Sequence, residues 1–166
     1  MKPWASAFCA AAIIAAWGRD DLDWTISYQS RATPQKWIDP STEAEIARAG
    51  ADRVLGAPRG RASQMNAGAA AATGDALLFL HADTRLPDNA ASLVIDRLDG
   101  SGGTWGRFDV AIEGKPKMLG IIAFMMNLRS RVTGIATGDQ AIFVRKDAFR
   151  AIGGFPDQRL MEDIAF

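Results

Sequence analysis

Hydrophobic and polar positions alternate in readable patterns from residue 41 onward and irregularly before it. The sharpest signal is Ala76-Leu77-Leu78-Phe79-Leu80, an unbroken apolar run between Gly74-Asp75 and His81. A short run of that kind reads as a strand buried on both faces of a mostly parallel sheet. Residues 61–73 ahead of it are rich in alanine and predict a helix, with Gly74 placed to end it as a C-cap. Further upstream, Ser41-Thr42 before Glu43 and Glu45 reads as a helix start, closing near Gly50. Residues 53–55 follow as a short strand, and Pro58-Arg59-Gly60 as a turn. Downstream, Pro87 and Asp88 open a helix through Leu98, and residues 105–112 alternate roughly as a strand. Residues 118–131 form a helix with a long apolar face, 141–144 a strand and 147–152 a short helix. Gly153-Gly154-Phe155-Pro156 is a turn, and Met161-Glu162-Asp163 begins a last element. Strands alternating with helices, then a strand pair with longer connections, predict a three-layer α/β domain with a mixed sheet.

The first forty residues give less. Residues 24–28 have the β-branched and aromatic content of a strand, while prolines break the pattern at Thr33-Pro34 and Asp39-Pro40. The apolar stretch 4–17 is about fourteen residues long, too short to cross a bilayer comfortably. It follows Lys2 and ends in small residues, as a secretory leader does, but lacks a leucine-rich centre. A buried helix is expected there. The division that results is an irregular segment over 1–40 and an α/β domain over 41–166.

Composition narrows the chemistry. Nineteen basic residues balance nineteen acidic ones, so no overall field points to nucleic acid. An anionic ligand would need local groups. With one cysteine, Cys9, and one histidine there is no internal disulfide and no Cys/His zinc cluster. A reducing, cytoplasmic setting is the expectation, and any metal would be a hard cation on carboxylates and phosphates.

Five places could carry function. Asp83 stands just past the buried strand, where open α/β sheets bind ligands, or it caps the turn before Pro87. Glu162-Asp163 could supply a general base, or be solvated acids favoured by a helix dipole. Arg59, Gly60, Arg61, Gln64 and Asn66 could cradle a phosphate at a helix N-terminus, although Arg-Gly turns are common. Gly138-Asp139-Gln140 could bind a sugar or an acceptor, or simply turn the chain. Residues 118–126, with Lys115 and Lys117 before them and Arg129 and Arg131 after, could touch a membrane surface. A core helix is the favoured reading of that stripe.

Taken together, these segments resemble the family 2 glycosyltransferases, in a bacterial branch. The resemblance rests on residues 60–69 (GRASQMNAGA), 77–87 (LLFLHADTRLP), 105–110 (WGRFDV), 138–145 (GDQAIFVR), 153–156 (GGFP) and 161–163 (MED). It implies a GT-A fold, the three-layer mixed sheet of nucleotide-diphospho-sugar transferases, and inverting transfer from a nucleotide-sugar donor to an acceptor hydroxyl. Asp83 matches the last acid of the family's DXD-type motif and would bind Mg²⁺ or Mn²⁺, with His81 at the position of the first acid. Asp163 matches the general base, with Glu162 supporting it. Arg61 and Asn66 would lie near the nucleotide. Gly153, Gly154, Phe155, Asp139 and Gln140 would face the acceptor.

The chain departs from the family at both ends, which predicts an incomplete sheet. The family's first strand is not evident over residues 1–36, and Asp39 is what remains of the second strand's acid, where the nucleotide base is held. Family members also continue past the Glu-Asp motif. A truncated, non-catalytic relative is therefore the alternative reading. A nucleotidyltransferase would want a glycine-rich, lysine-bearing loop near the N-terminus, and none is evident. An exposed sheet edge would invite a second copy, giving a homodimer.

Overall fold

The computed structural model describes residues 12–17, 22–29, 53–58, 60–81, 84–100 and 102–156. Among the described residues, six strands form one sheet in the order β3-β2-β1-β4-β6-β5. They are β1 (Ala12–Trp17), β2 (Leu22–Gln29), β3 (Arg53–Ala57), β4 (Ala76–His81), β5 (Trp105–Gly106) and β6 (Ile142–Arg145). The helices are α1 (Arg61–Ala71), α2 (Ala90–Ile95, continued by a wider turn over Asp96–Gly100), α3 (Met118–Thr133) and α4 (Lys146–Ala151). The chain is a mixed α/β domain.

Connection length decides strand direction. The four residues between β1 and β2 permit only an antiparallel pair, which is what forms. The longer segment between β2 and β3 allows their parallel pairing. β1 also lies antiparallel to β4, and β4 antiparallel to β6. As a result β2, β3 and β4 run one way, and β1 and β6 run the other. Ala12 stands opposite both Ser27 and His81. One edge of the sheet therefore gathers the carboxyl ends of β2, β3 and β4 with the beginnings of β1 and β6.

Several sequence expectations change here. Part of the stretch expected as a buried helix, Ala12–Trp17, is a strand, and the region without an evident first strand supplies both β1 and β2. The two pair with each other, and that pairing outweighs the alanine-rich helical tendency of β1. β4 is buried on both faces as its sequence implies, with Leu77, Leu78, Phe79 and Leu80 all in the core, but its neighbours are antiparallel rather than parallel. α1 ends at Ala71, not at a Gly74 cap. Its last carbonyls are taken instead by cations: the Arg53 guanidinium donates to Ala71 O at 2.6 Å, and Lys146 Nζ donates to Ala72 O. The strand expected over 105–112 shrinks to Trp105–Gly106. Gly106 is needed there because a Cβ would lie 2.4 Å from the Phe143 ring. The helix expected to be core, α3, buries only Ala123 and Ser130.

The main core lies between α1, α4 and one face of the sheet. It joins Ala62, Met65 and Ala69 of α1 to Leu77, Phe79, Val144, Phe149 and Phe155. Phe79 is its hub, with its ring centroid 5.1 Å from Phe149 and 4.8 Å from Phe155. Phe143, one position along β6, points to the other face, where it meets Phe108 edge-on at 5.5 Å. Phe79→Ala should cost about 3–5 kcal/mol in urea unfolding, as expected for a truncated core aromatic. A loss below about 1 kcal/mol would mean that the three rings do not act as the core.

Candidate functional site

The sheet edge at the end of β4 brings together most of the described residues that the sequence singled out. α1 begins at this edge, because it follows β3 directly. Its N-cap is Gly60, in a positive-φ conformation (φ 139°) that favours glycine, with no side-chain cap and no acid in the first turn. The exposed Arg61 is the first residue of the helix. The helix dipole and this arginine give the corner a positive character.

Asn66 and the Gly153-Gly154-Phe155 turn, expected on the nucleotide and acceptor sides respectively, are one structural unit. Asn66 Nδ2 donates to Phe155 O at 2.8 Å, and Phe155 N–H donates to Asn66 Oδ1 at 3.0 Å. Gly153 and Gly154 both have left-handed backbones, with φ of 83° and 80°. At Gly154 a Cβ would also sit 2.7 Å from Asn66 Oδ1. The Gly-Gly pair thus ends α4 and lets the chain fold back onto α1, while Phe155 drops into the core beside Phe79.

Gln140 is fully buried in a 3-10 turn, Gly138–Gln140, against β4. Its Oε1 accepts from Thr137 N–H at 3.2 Å, and its Nε2 donates to Asn127 Oδ1 at 3.4 Å. Asp139 beside it is exposed. Ala141, next in the chain, holds a positive φ of 48° without being glycine, so the junction into β6 is strained.

Sequence reasoning singled out Arg131 only as a basic flank of the apolar stripe and Arg107 and Asp109 only as motif residues, and it passed over Asn127, yet these four organise the far side of the turn. Asn127 on α3 accepts from Val110 N–H and donates to Val110 O, both at 2.9 Å. This adds to the backbone bond that Phe108 N–H donates to Gln140 O at 2.7 Å. Arg107 donates to Asp109 at 2.6 Å, and Arg131 closes the same carboxylate from α3. The Arg107 hydrogen bond, with the charge of Arg131, holds the Asp109 carboxyl below the ordinary range. The Arg-Phe-Asp spacing was legible, but the partner helix that completes it lies far along the chain.

Asp39, Asp83, Glu162 and Asp163 lie outside the described residues. His81 ends β4, and only its backbone position is described. Among the described residues, no three His, Cys, Asp or Glu side chains gather as a metal cage. A Mg²⁺-like ion bound by one carboxylate and a substrate's phosphates requires no such cage.

A family model, Glycosyl transferase family 2, matches residues 52–153, from the start of β3 through Gly153. The chain belongs to glycosyl transferase family 2. The match takes in β3, α1, β4 and the 138–140 turn, and leaves out the hairpin β1–β2 and the turn residues Gly154 and Phe155. A second model, Ferrochelatase, matches residues 5–60. Curated ferrochelatases are similar over part of that stretch. One from Wolbachia sp. subsp. Brugia malayi is 62% identical over 34 residues, covering 20% of this chain and 10% of the relative. Those of Caulobacter vibrioides and Phenylobacterium zucineum are 52% and 51% identical over 42 and 43 residues, covering 25% and 26% of this chain and 12% of each relative. The chain thus spans about a tenth of the length of the curated relatives it matches. No solved structure matches. In this family 2 chain, two sheet strands, β1 and β2, come from the ferrochelatase-like stretch, and the two matches overlap at β3.

Two variants test the site's construction. Asn66→Ala should lower stability by about 1–3 kcal/mol, because the Phe155 backbone loses both partners, with the denaturation midpoint as the readout. Asp109→Asn should cost about 0.5–1 kcal/mol near neutral pH, because the carboxylate is half exposed and solvent screens the pairs. The folded-state value of Asp109 is depressed, so its contribution is present above the unfolded carboxyl value. It is lost as pH falls through the folded one. Wild type and variant should therefore converge in acid. A gap that stays constant down to about pH 2 would show that charge is not the cause.

Proposed function

We propose that this chain transfers a sugar from a nucleoside-diphosphate donor to an acceptor hydroxyl, with inversion at the anomeric carbon. The observation that carries this reading is the extent of the family match. It covers α1, β4 and the 138–140 turn packed against β4, and it ends at Gly153, where the turn held by Asn66 begins. The donor's diphosphate would lie near Arg61 and the positive end of α1, where anions are favoured. The acceptor would approach past the Gly153–Phe155 turn and the exposed Asp139.

In this reading Asp163 accepts the proton of the acceptor hydroxyl as that oxygen bonds to the anomeric carbon. The bond to the diphosphate breaks on the opposite face, and its electron pair leaves with the phosphate. Glu162 supports the base. Asp83 would hold Mg²⁺ or Mn²⁺ against the donor, with His81 beside it in sequence. Such an ion supplies Lewis-acid neutralisation of the leaving diphosphate. General-base assistance contributes about 10²–10⁴-fold, which sets the size of the expected loss when the base is removed.

One observation favours a second reading, a family member without catalysis. β1 is antiparallel to β4, so its beginning and not its end lies at the ligand edge, and the strand belongs to the ferrochelatase-like stretch. The donor half of the site would then be supplied by β2, β3 and Asp39 alone.

Calorimetric titration of UDP and GDP, with and without Mn²⁺, separates the two. The transferase reading expects metal-dependent binding that Asp83→Ala removes. It also expects Asp163→Asn to keep that binding while sugar transfer falls about 10²–10⁴-fold. Absence of nucleotide binding under every condition would leave the non-catalytic reading standing.

A further inference from the structure

α3 is apolar on the side that faces away from the domain. Met118, Ile121, Met125, Leu128 and Val132 recur at alternating spacings of three and four, which aligns them along one helix face. The stripe is open to solvent, with Met118 65%, Ile121 63% and Val132 77% exposed, and Phe124 beside it at 62%. The opposite face carries Ala123, Asn127 and Ser130. It is fastened by hydrogen bonds from Asn127 to Val110 and by the ion pair of Arg131 with Asp109. The helix is therefore held to the domain by a polar clamp, with its larger side chains turned outward.

Charge indicates what covers this face. Residues 114–138 contain Lys115, Lys117, Arg129 and Arg131 and no acid. Both ends of the helix are basic. Arg131 is answered within the domain by Asp109. A second copy packed on the stripe, in either direction, would set Lys115, Lys117 and Arg129 against their counterparts with no carboxylate in the segment to answer them, whereas an anionic surface answers all three. The helix is about 24 Å long at 1.5 Å per residue, and no helix among the described residues is long and apolar enough to cross a membrane. A helix of this kind lies in the interface with its apolar side down and its basic residues among the headgroups.

We propose that α3 docks this protein on an anionic lipid bilayer through the Met118–Val132 stripe and its basic flanks. The inference rests on α3 alone and stands whether or not the chain transfers sugar.

The test is sedimentation of the full chain with vesicles of phosphatidylglycerol or of phosphatidylcholine, across a range of salt. The expected result is binding to the anionic vesicles that weakens with salt. Replacing the lipid with phosphatidylcholine, or reversing charge in Lys115→Glu/Lys117→Glu, should weaken it about tenfold or more. Ile121→Ser/Phe124→Ser should abolish it. All four side chains are exposed, so unchanged circular dichroism and melting of these variants are expected alongside. A protein that stays in the supernatant with phosphatidylglycerol would overturn the proposal. So would binding that Ile121→Ser/Phe124→Ser leaves intact, or a dimer in light scattering that this pair dissociates while vesicles capture nothing.

Discussion

Burial of β4 is the constraint on which the rest of the structure depends. Four consecutive side chains, Leu77 to Leu80, are removed from water, two on each face. That requires cover on both faces of the sheet and a strand on each side. α1 and α4 supply one cover, locked by the contacts of Phe79 with Phe149 and Phe155. β6 fills one flank through family-matched residues, and β1 fills the other. At roughly 1.5–3 kcal/mol for each large apolar side chain buried, an uncovered flank would be costly. This is a physical reason why a strand from the ferrochelatase-like stretch is accepted there.

The placement of β1 has a geometric consequence. A strand that enters a sheet through a four-residue connection must run antiparallel to its predecessor. Placing β1 between β2 and β4 therefore leaves β2 parallel to β4 and reverses β1. That edge of the sheet gathers the ends of β2, β3 and β4, and the beginning of β1 stands among them. Hydrophobic burial is indifferent to strand direction, whereas a ligand edge built from strand ends is not. The core and a ligand edge thus place different demands on the ferrochelatase-like stretch.

Around this core, polar side chains fix the irregular parts. Asn66 spans the Phe155 peptide, Asn127 spans Val110, and buried Gln140 joins Thr137 to Asn127. Each satisfies backbone or amide groups that no ladder serves. The three amides come from α1, α3 and the 138–140 turn, so the loops at the candidate site are positioned by elements distant in sequence. This explains how Val110 is held beyond the end of β5, where no ladder reaches it. It also explains why α3 can leave its apolar stripe outside.

Much of this was legible in the chain itself. The apolar run of β4, the alanines of α1 and the Gly-Gly turn each carry their structure locally, since period, propensity and left-handed backbone depend on neighbouring residues. The motif spacings likewise placed the chain in its family. What the sequence alone determined was thus β4, α1, the Gly-Gly turn and the family motifs, while the strand character of Ala12–Trp17 came from its pairing with β2 and β4. Strand direction, the pairing of Asn66 with Phe155, the Arg107–Asp109–Arg131 cluster and the outward face of α3 were decided by tertiary structure. An apolar helix stripe has the same pattern whether it faces core or solvent, and an amide side chain does not specify in advance which distant backbone it will meet. Those outcomes depend on which surfaces remain uncovered once β4 is buried.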